Sequence, residues 1–249
     1  QGVDVGVSGG NEKVFADNRF GDAYSAHFFA DIYLPILRDE TGQKWQEALQ
    51  QYQFNTIFFY HYDAVYGARD FLYKRFYDSE WALVYADRYV VIFIRRNEGN
   101  QKIIDQFEIN NDNMADKLKH LTASRHSEDQ IAGADVLNLF GRIDLSIPVY
   151  LKSVSEWPER GKIWLVLGRT ELTKSNQDES NPYLAAIYLE RAIKEGWRTW
   201  ESYSYLALAY FRTGQLDRAR DAVNNELRVD PGNTDGEKWL GILANEEYR

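Results

Sequence analysis

The sequence predicts an α+β/α protein of two parts: a small α/β domain with a mixed sheet, followed by an all-α solenoid of stacked helical hairpins. Two observations predict this division. Residues 1–110 alternate short β-rich runs with amphipathic helical runs. Residues 127–249 hold helical runs only, and small residues recur in them at fixed distances from glycines. We expect residues 111–126 to form a linker helix between the two parts.

The first half begins with a β-rich run, "EKVFADN", and two amphipathic helical runs, "AYSAHFFADIYLPIL" and "GQKWQEALQQY". "FNTIFFYHY" is apolar on both faces, which predicts a central strand. A helical run, "GARDFLYKRFYD", separates it from a strand hairpin, "WALVYADRYVVIFIRR". Helical crossovers favour neighbouring parallel strands, and the hairpin adds an antiparallel pair. The sequence therefore predicts a mixed sheet.

The second half contains a repeated pattern of small, bulky and proline residues. Gly141 and Gly214 are each followed at offsets five, nine and seventeen by a small residue, a bulky residue and a proline. Small residues let two helices cross closely, and proline ends a helix because it has no N–H to donate. The predicted small contact residues are Ala134, Gly168, Ala207 and Gly241 on first helices, and Ser146, Ala185 and Ala219 on second helices.

This pattern resembles the tetratricopeptide repeat (TPR), a helix–turn–helix unit of about 34 residues. We place units at 127–160, 161–199 and 200–233, followed by a capping helix at 234–248. The stretch "TKSNQDESNP" contains the five residues by which the middle unit exceeds the period. The resemblance implies a non-catalytic scaffold for protein–protein contact, whose concave groove is lined mainly by the first helix of each unit.

The expected groove combines cationic, polar and apolar side chains. It would be lined by Asp135, Asn138, Lys162, Leu165, Arg169, Ser204, Leu208, Phe211 and Arg212. This mixture suits an extended peptide with an acidic group or a C-terminal carboxylate, held by Arg169 and Arg212. The Lys and Asn positions of the chaperone-type carboxylate clamp are not reproduced. An alternative stays open, in which the short solenoid packs its groove against residues 1–110.

The first half carries a second resemblance, on "KVFADNRFGDAYS", "FFADIYLPIL", "YQFNTIFF" and "DSEWALVYADRYVVIFIRR". These runs resemble the soluble C-terminal region of bacterial multipass membrane proteins of the dolichyl-phosphate-mannose-type glycosyltransferase kind, which often end in TPR units. The resemblance implies a membrane-spanning, catalytic part before Gln1 and an extracytoplasmic, periplasmic location at the inner membrane. The alternative function that it implies is an accessory domain that contacts the lipid-linked sugar or the acceptor.

The start of the chain fits that expectation. It begins with Gln1 and has no initiator Met, so we expect a processed chain or a piece of a longer one. The longest apolar run, "YVVIFI", is too short to span a bilayer.

Composition restricts the chemistry. The chain has 249 residues, 44% hydrophobic and 27% charged, which is an ordinary globular balance. Its net charge of −9 and the lack of any basic run longer than Arg95-Arg96 argue against a nucleic-acid partner. It has no cysteine, which excludes disulfides, thiolate zinc sites and cysteine nucleophiles.

Two polar clusters are candidate sites in the first half. Asp17 and Arg19 follow a predicted strand and could bind an anion, although a turn cap by Asp17 and a structural ion pair of Arg19 are the favoured interpretation. His61 and Asp63 share one side of a predicted strand, but no nucleophile motif accompanies them. We find no helical pair of histidines suited to a metal and no Gly-rich phosphate loop. We therefore expect no catalytic, cofactor or metal site in this chain.

The tryptophans mostly fall at core spacing. The chain contains 7 Trp, and core packing is the favoured interpretation over a carbohydrate platform. Trp197 and Trp200, in "EGWRTW", lie in a turn between two units, where this interpretation is weaker.

Overall fold

A computed structural model describes residues 28–39, 41–62, 65, 67–174 and 180–246. The chain divides into two compact units, Gln1–Ser146 and Ile147–Arg249. The division lies inside the first expected repeat.

The first unit contains a three-stranded sheet and several short helices. A π-helical turn, Phe29–Tyr33, leads into the first α-helix. The elements that follow are α1 (Leu34–Arg38), α2 (Gln43–Tyr52), β1 (Thr56–Tyr60), α3 (Ala68–Phe76), β2 (Trp81–Ala86), β3 (Val90–Arg95), α4 (Gln101–Phe107), α5 (Met114–Lys117), α6 (Lys119–Thr122) and α7 (Ser127–Leu139). Residues 111–126, expected as one linker helix, thus contain the two short helices α5 and α6.

The sheet formed by the described strands is antiparallel, so the parallel pairing expected among these strands is wrong. The strand expected in "EKVFADN" lies outside the described residues. Its order is β1-β3-β2, and β3 pairs antiparallel with both neighbours. The crossover through α3 does give β1 and β2 the same direction, but the second strand of the hairpin lies between them. β1 is therefore at an edge among the described strands, and its alternating burial leaves Phe58 43% exposed.

Aromatic side chains fill the space between the sheet and the helices of the first unit. Trp81 is 1% exposed, and its ring centroid lies 5.6 Å from that of Trp45. Phe71 packs edge-on against Trp45 at 4.9 Å. The Arg75 guanidinium lies 4.7 Å from the Trp45 ring centroid, which satisfies part of its charge in an apolar setting. The core interpretation of Trp45 and Trp81 is confirmed.

The C-terminal end of α7 belongs to this same core. Phe140, at the end of the helix, stacks on Phe76 at 4.5 Å and meets Phe93 edge-on at 6.1 Å. The Tyr77 hydroxyl donates a hydrogen bond to the Phe140 carbonyl at 2.9 Å. The first helix expected for the repeats is therefore tied to the sheet by large aromatic contacts. Gly141, at φ 82°, then allows the left-handed turn into the next helix.

Helix α8 (Ile143–Glu156) contains the point where the two units divide, and helical hairpins follow it. The remaining elements are α9 (Gly161–Thr173), α10 (Pro182–Lys194), α11 (Trp200–Arg212), α12 (Leu216–Val229) and α13 (Thr234–Glu246). Helices α7, α9, α11 and α13 begin 34, 39 and 34 residues apart. Consecutive helices from α9 to α13 pack on one another. This is a TPR-type helical arrangement, with the extra five residues in the middle unit as expected.

Small residues bring these helices together. A Cβ on Gly168 would lie 2.5 Å from Leu189 Cγ, so only glycine fits this crossing of α9 and α10. Ala185, Ala207 and Ala219 are each fully buried. Gly241 differs, because no atom lies within 4 Å of its Cβ position. The terminal helix α13 therefore carries the small residue of the pattern without the close crossing.

Candidate protein-interaction surface

The first helices α9, α11 and α13 form a row within the second unit, and side chains join each to the next. We call this the first-helix row. Arg169 on α9 forms a salt bridge with Glu201 on α11, with 2.9 Å between Nη1 and Oε1. Arg212 on α11 donates from Nη1 to the Leu172 carbonyl of α9 at 2.7 Å. Two guanidinium groups thus lie along the α9–α11 boundary, one facing a carboxylate and one facing a backbone carbonyl.

An apolar stretch continues the row. Phe211 on α11 meets Trp239 on α13 edge-on, with ring centroids 5.5 Å apart. Tyr205 and Leu208 on α11 are half-buried, and Ile242 on α13 is 44% exposed. The row therefore combines an aromatic and aliphatic part with cations at one side.

Seven of the nine expected groove residues lie on α9 and α11. Lys162 and Arg212 are exposed, whereas Arg169, Leu208 and Phe211 are half-buried. The other two, Asp135 and Asn138, are half-buried on α7 in the first unit.

The structure places two further expectations elsewhere. Leu165, also expected in the groove, is 3% exposed and belongs to the helical core, because it packs with the buried alanines and leucines of this unit. The anion-binding candidates Asp17 and Arg19 lie outside the described residues.

Two residues of the row were not expected from the sequence. Glu201 and Trp239 contact the expected residues Arg169 and Phe211 directly. Both lie on first helices, so the repeat pattern itself carries the signal. Glu201 lies near the start of the third unit, and an acid at that position can pair with a cation such as Arg169 on the preceding first helix.

A second polar cluster fixes the spacing of α10, α11 and α12. The Tyr210 hydroxyl donates to Glu190 Oε1 at 2.5 Å, and Arg218 Nη2 donates to the same oxygen at 2.8 Å. The Arg218 guanidinium also lies 4.2 Å from the Tyr210 ring centroid. Burial, followed by the hydrogen bond to the Glu190 carboxylate, raises the pKa of Tyr210. Tyr210 therefore stays a neutral donor and holds three helices in a fixed arrangement.

A buried acid ties α12 to the turn before α13. Glu226 is fully buried, although a small residue is usual at its position in the repeat. Its Oε1 accepts a hydrogen bond from Asn233 Nδ2 at 2.9 Å. The departure from the repeat pattern thus serves to position the terminal helix.

His61 lies at the end of β1 and is 4% exposed. Its Nε2 lies 3.2 Å from the Asp87 carbonyl oxygen, which can only accept, so this nitrogen carries the proton. Burial lowers the pKa of His61 below 6.5, although Asp135 and Asp87 act in the opposite direction. Asp63 lies outside the described residues. His61 is thus a buried, hydrogen-bonded imidazole at the sheet end.

The described residues contain no group of three or more His, Asp or Glu side chains arranged to hold a metal ion. In the same ranges, every helix is too short or too polar to meet the requirements of a membrane span.

Comparison with known proteins finds partial alignments with solved structures. No protein-family profile matches the sequence, and no significant match to a curated protein was found. Among solved structures, one crystal structure of MamA aligns at a TM-score of 0.42 and 23% identity over 46% of this chain. A second crystal structure of MamA aligns at a TM-score of 0.42 and 19% identity over 55% of this chain. The aligned regions cover 64% and 65% of those two chains, a little under two thirds of their length.

Proposed function

We propose that the second unit is a non-catalytic protein-interaction module that binds an extended peptide along the first-helix row. The observation that carries this proposal is the meeting of expected groove residues at the α9–α11 boundary. There, the Arg169 guanidinium already binds a carboxylate, that of Glu201. Bidentate recognition of carboxylates is the interaction for which arginine geometry is best suited. An acidic or C-terminal carboxylate of a peptide can take the place of Glu201.

The apolar part of the row supplies the remaining contact. Leu208, Phe211 and Trp239 are each half-buried and present aromatic or aliphatic surface. Trp and aromatic side chains are enriched among the residues that dominate binding energy at interfaces. A peptide with an apolar residue followed by a carboxylate therefore matches the row, in which the apolar side chains of α11 are followed by Arg169 on α9.

Competition between Glu201 and the peptide gives the sharpest test. Peptides would be selected from a random library against the purified chain, and their affinities measured by calorimetry. We expect Arg169→Ala to weaken binding by about tenfold or more, since charged hydrogen bonds contribute about 1.5–3 kcal/mol. Glu201→Gln should strengthen binding, because it removes the internal competitor for Arg169.

Ile187→Ala is the matched control, because Ile187 lies on the second helix α10 and is 60% exposed. The affinity of this variant for the selected peptides should equal that of the wild type. Selected peptides that bind all of these variants equally would place the contact off the first-helix row and contradict the proposal.

We further propose, from the sequence resemblance of residues 12–100, that this chain is the extracytoplasmic, periplasmic part of a larger bacterial membrane protein of the glycosyltransferase kind. The support is the set of sequence runs described above. The coding sequence directly upstream of Gln1 tests this proposal. Several hydrophobic spans are expected there, and a start codon immediately before Gln1 would contradict it.

A further inference from the structure

The turn between α10 and α11 exposes two indole rings. Trp197 is 37% exposed and Trp200 is 46% exposed. Tryptophan is strongly buried on average in folded chains, and Trp45 and Trp81 in the first unit are 3% and 1% exposed. Two exposed tryptophans within four residues of sequence therefore require an explanation other than core packing.

The backbone that carries these rings is firmly held. Gly196 has φ 89°, and the Trp197 N–H donates to the Ala192 carbonyl at 2.9 Å, which ends α10. The Ser202 hydroxyl donates to the Trp197 carbonyl at 2.9 Å, and Thr199 Oγ1 accepts from the Ser202 N–H at 3.2 Å. The indoles therefore project from a turn of defined shape.

Contacts on the two sides of the turn differ. On the inner side, a Cβ on Gly161 would lie 2.8 Å from the Trp197 Cβ, so the turn sits directly on the start of α9. On the outer side, no atom lies within 4 Å of the Cβ position of Gly196. The turn is thus anchored beneath and open above.

Exposed basic residues lie near Trp197 and Trp200. Arg198 lies between them in sequence, and Lys194 and Lys162 are also exposed. Two nearby acids are already paired within the unit: Glu195 binds Arg191 at 2.7 Å, and Glu201 binds Arg169 at 2.9 Å. Glu159, in the turn before α9, is exposed and offsets one positive charge. Residues 159–162 and 191–201 together contain five basic and three acidic residues, a formal charge of +2, although the whole chain has a net charge of −9.

We propose that this indole edge, made of Trp197, Arg198 and Trp200 with Lys162 and Lys194, docks onto the surface of an anionic lipid bilayer. Indole rings are amphipathic and concentrate at the boundary between water and lipid, where Lys and Arg contact anionic head groups. Rings that project from an open turn fit a deformable surface, whereas a protein partner would need a pocket for each ring. This contact involves neither the first-helix row nor a peptide.

Co-sedimentation with vesicles tests the proposal on the purified 249-residue chain. The probes are phosphatidylcholine vesicles with and without phosphatidylglycerol. We expect binding only to vesicles that contain phosphatidylglycerol, and binding that weakens as salt is raised. The Trp197→Ala/Trp200→Ala double variant should bind about tenfold or more weakly, because it has no indole rings whose apolar area the bilayer can bury. Alanine keeps the Cβ that packs on Gly161, so the turn is preserved.

The matched control is the Tyr183→Ala/Ile187→Ala double variant on α10. These side chains are 63% and 60% exposed, more than the two tryptophans. If the indole edge is the contact, this control binds as the wild type does. Equal loss in both double variants, equal binding to neutral and anionic vesicles, or no binding by the wild type would each overturn the proposal. Thermal unfolding followed by circular dichroism confirms that every variant is folded.

Discussion

The two units fill their interiors in different ways. In the first unit, large aromatic side chains such as Trp45, Phe71 and Trp81 meet across a sheet and several short helices. In the second unit, the closest contacts are made by Gly168 and by fully buried alanines, set against leucine and tyrosine side chains. The first interior depends on irregular packing of large side chains that are far apart in the sequence. The second depends on the same short contact repeated along the chain, and for this reason its sequence shows a period.

The largest effect on stability is expected from removal of a large aromatic side chain in the first unit. Trp81→Ala should lower the free energy of unfolding by about 3–5 kcal/mol, because a buried aromatic ring leaves a cavity. Chemical denaturation measures the change. Trp200→Ala is the matched control, since its ring is 46% exposed, and should change stability by less than about 0.5 kcal/mol. Similar losses in both variants would contradict the role of Trp81 as a core residue of the first unit.

Addition of a single methyl group should have the next largest effect, in the second unit. Gly168→Ala places a Cβ 2.5 Å from Leu189 Cγ, and we expect a loss of about 1–3 kcal/mol from overpacking. Gly241→Ala, at the equivalent position of α13, meets no atom within 4 Å. It should stabilise the protein by about 0.5–1 kcal/mol through helix propensity. Thermal unfolding of both variants distinguishes them, and a shift in the same direction would refute the crossing argument.

A pH-dependent effect on stability is expected from His61 in the first unit. The pKa of His61 is lowered below 6.5 by burial, so the folded state binds fewer protons than the unfolded state once the pH falls below 6.5. Stability should therefore be unaffected by this group above pH 6.5 and should decrease as the pH falls through the interval down to the folded-state pKa. Denaturation of the wild type and of His61→Gln at several pH values measures this. The difference in stability between the two proteins should be constant above pH 6.5 and should change as the pH falls below it. A difference that is the same at every pH would exclude the effect.

The smallest effect is expected from the salt bridge of the first-helix row. Glu201→Gln should change the free energy of unfolding by less than about 1 kcal/mol, because Arg169 and Glu201 are both partly exposed. Its influence on peptide affinity should be larger than its influence on stability. A loss of several kcal/mol in chemical denaturation would instead assign this pair a structural role.

The repeat could be predicted from the sequence because its contacts are local. Gly168, Ala185, Ala207 and Ala219 fall at the positions of the repeat where small residues are expected. Gly168 and Ala185 meet at a close helix crossing, and Ala207 and Ala219 are fully buried. The turn glycines Gly141 and Gly214 both adopt positive φ, as the pattern requires. The contacts between α9 and α11 in the first-helix row could be predicted only in part. The repeat pattern placed Arg169 in the groove, but it did not show that Glu201 faces it.

The sheet could not be predicted because strand order depends on pairing between distant segments. The run around Phe58 reads as apolar on both faces and so suggested a central strand, but one of its faces is exposed. The turn of the hairpin was visible in the sequence: Asp87 Oδ1 accepts hydrogen bonds from the backbone N–H groups of Tyr89 and Val90 at 2.7 and 2.8 Å. No local signal shows that β3 inserts between β1 and β2.

The connection between α9 and α10 offers a practical opening for engineering. Helix α9 ends at Thr173 and α10 begins at Pro182, while the crossing of Gly168 with Leu189 sets how the two helices meet. The entropy of closing a loop grows slowly with its length, at about 0.6 kcal/mol for each doubling. A fluorophore site or an affinity tag inserted between Thr173 and Pro182 should thus leave the packing of the helices unchanged.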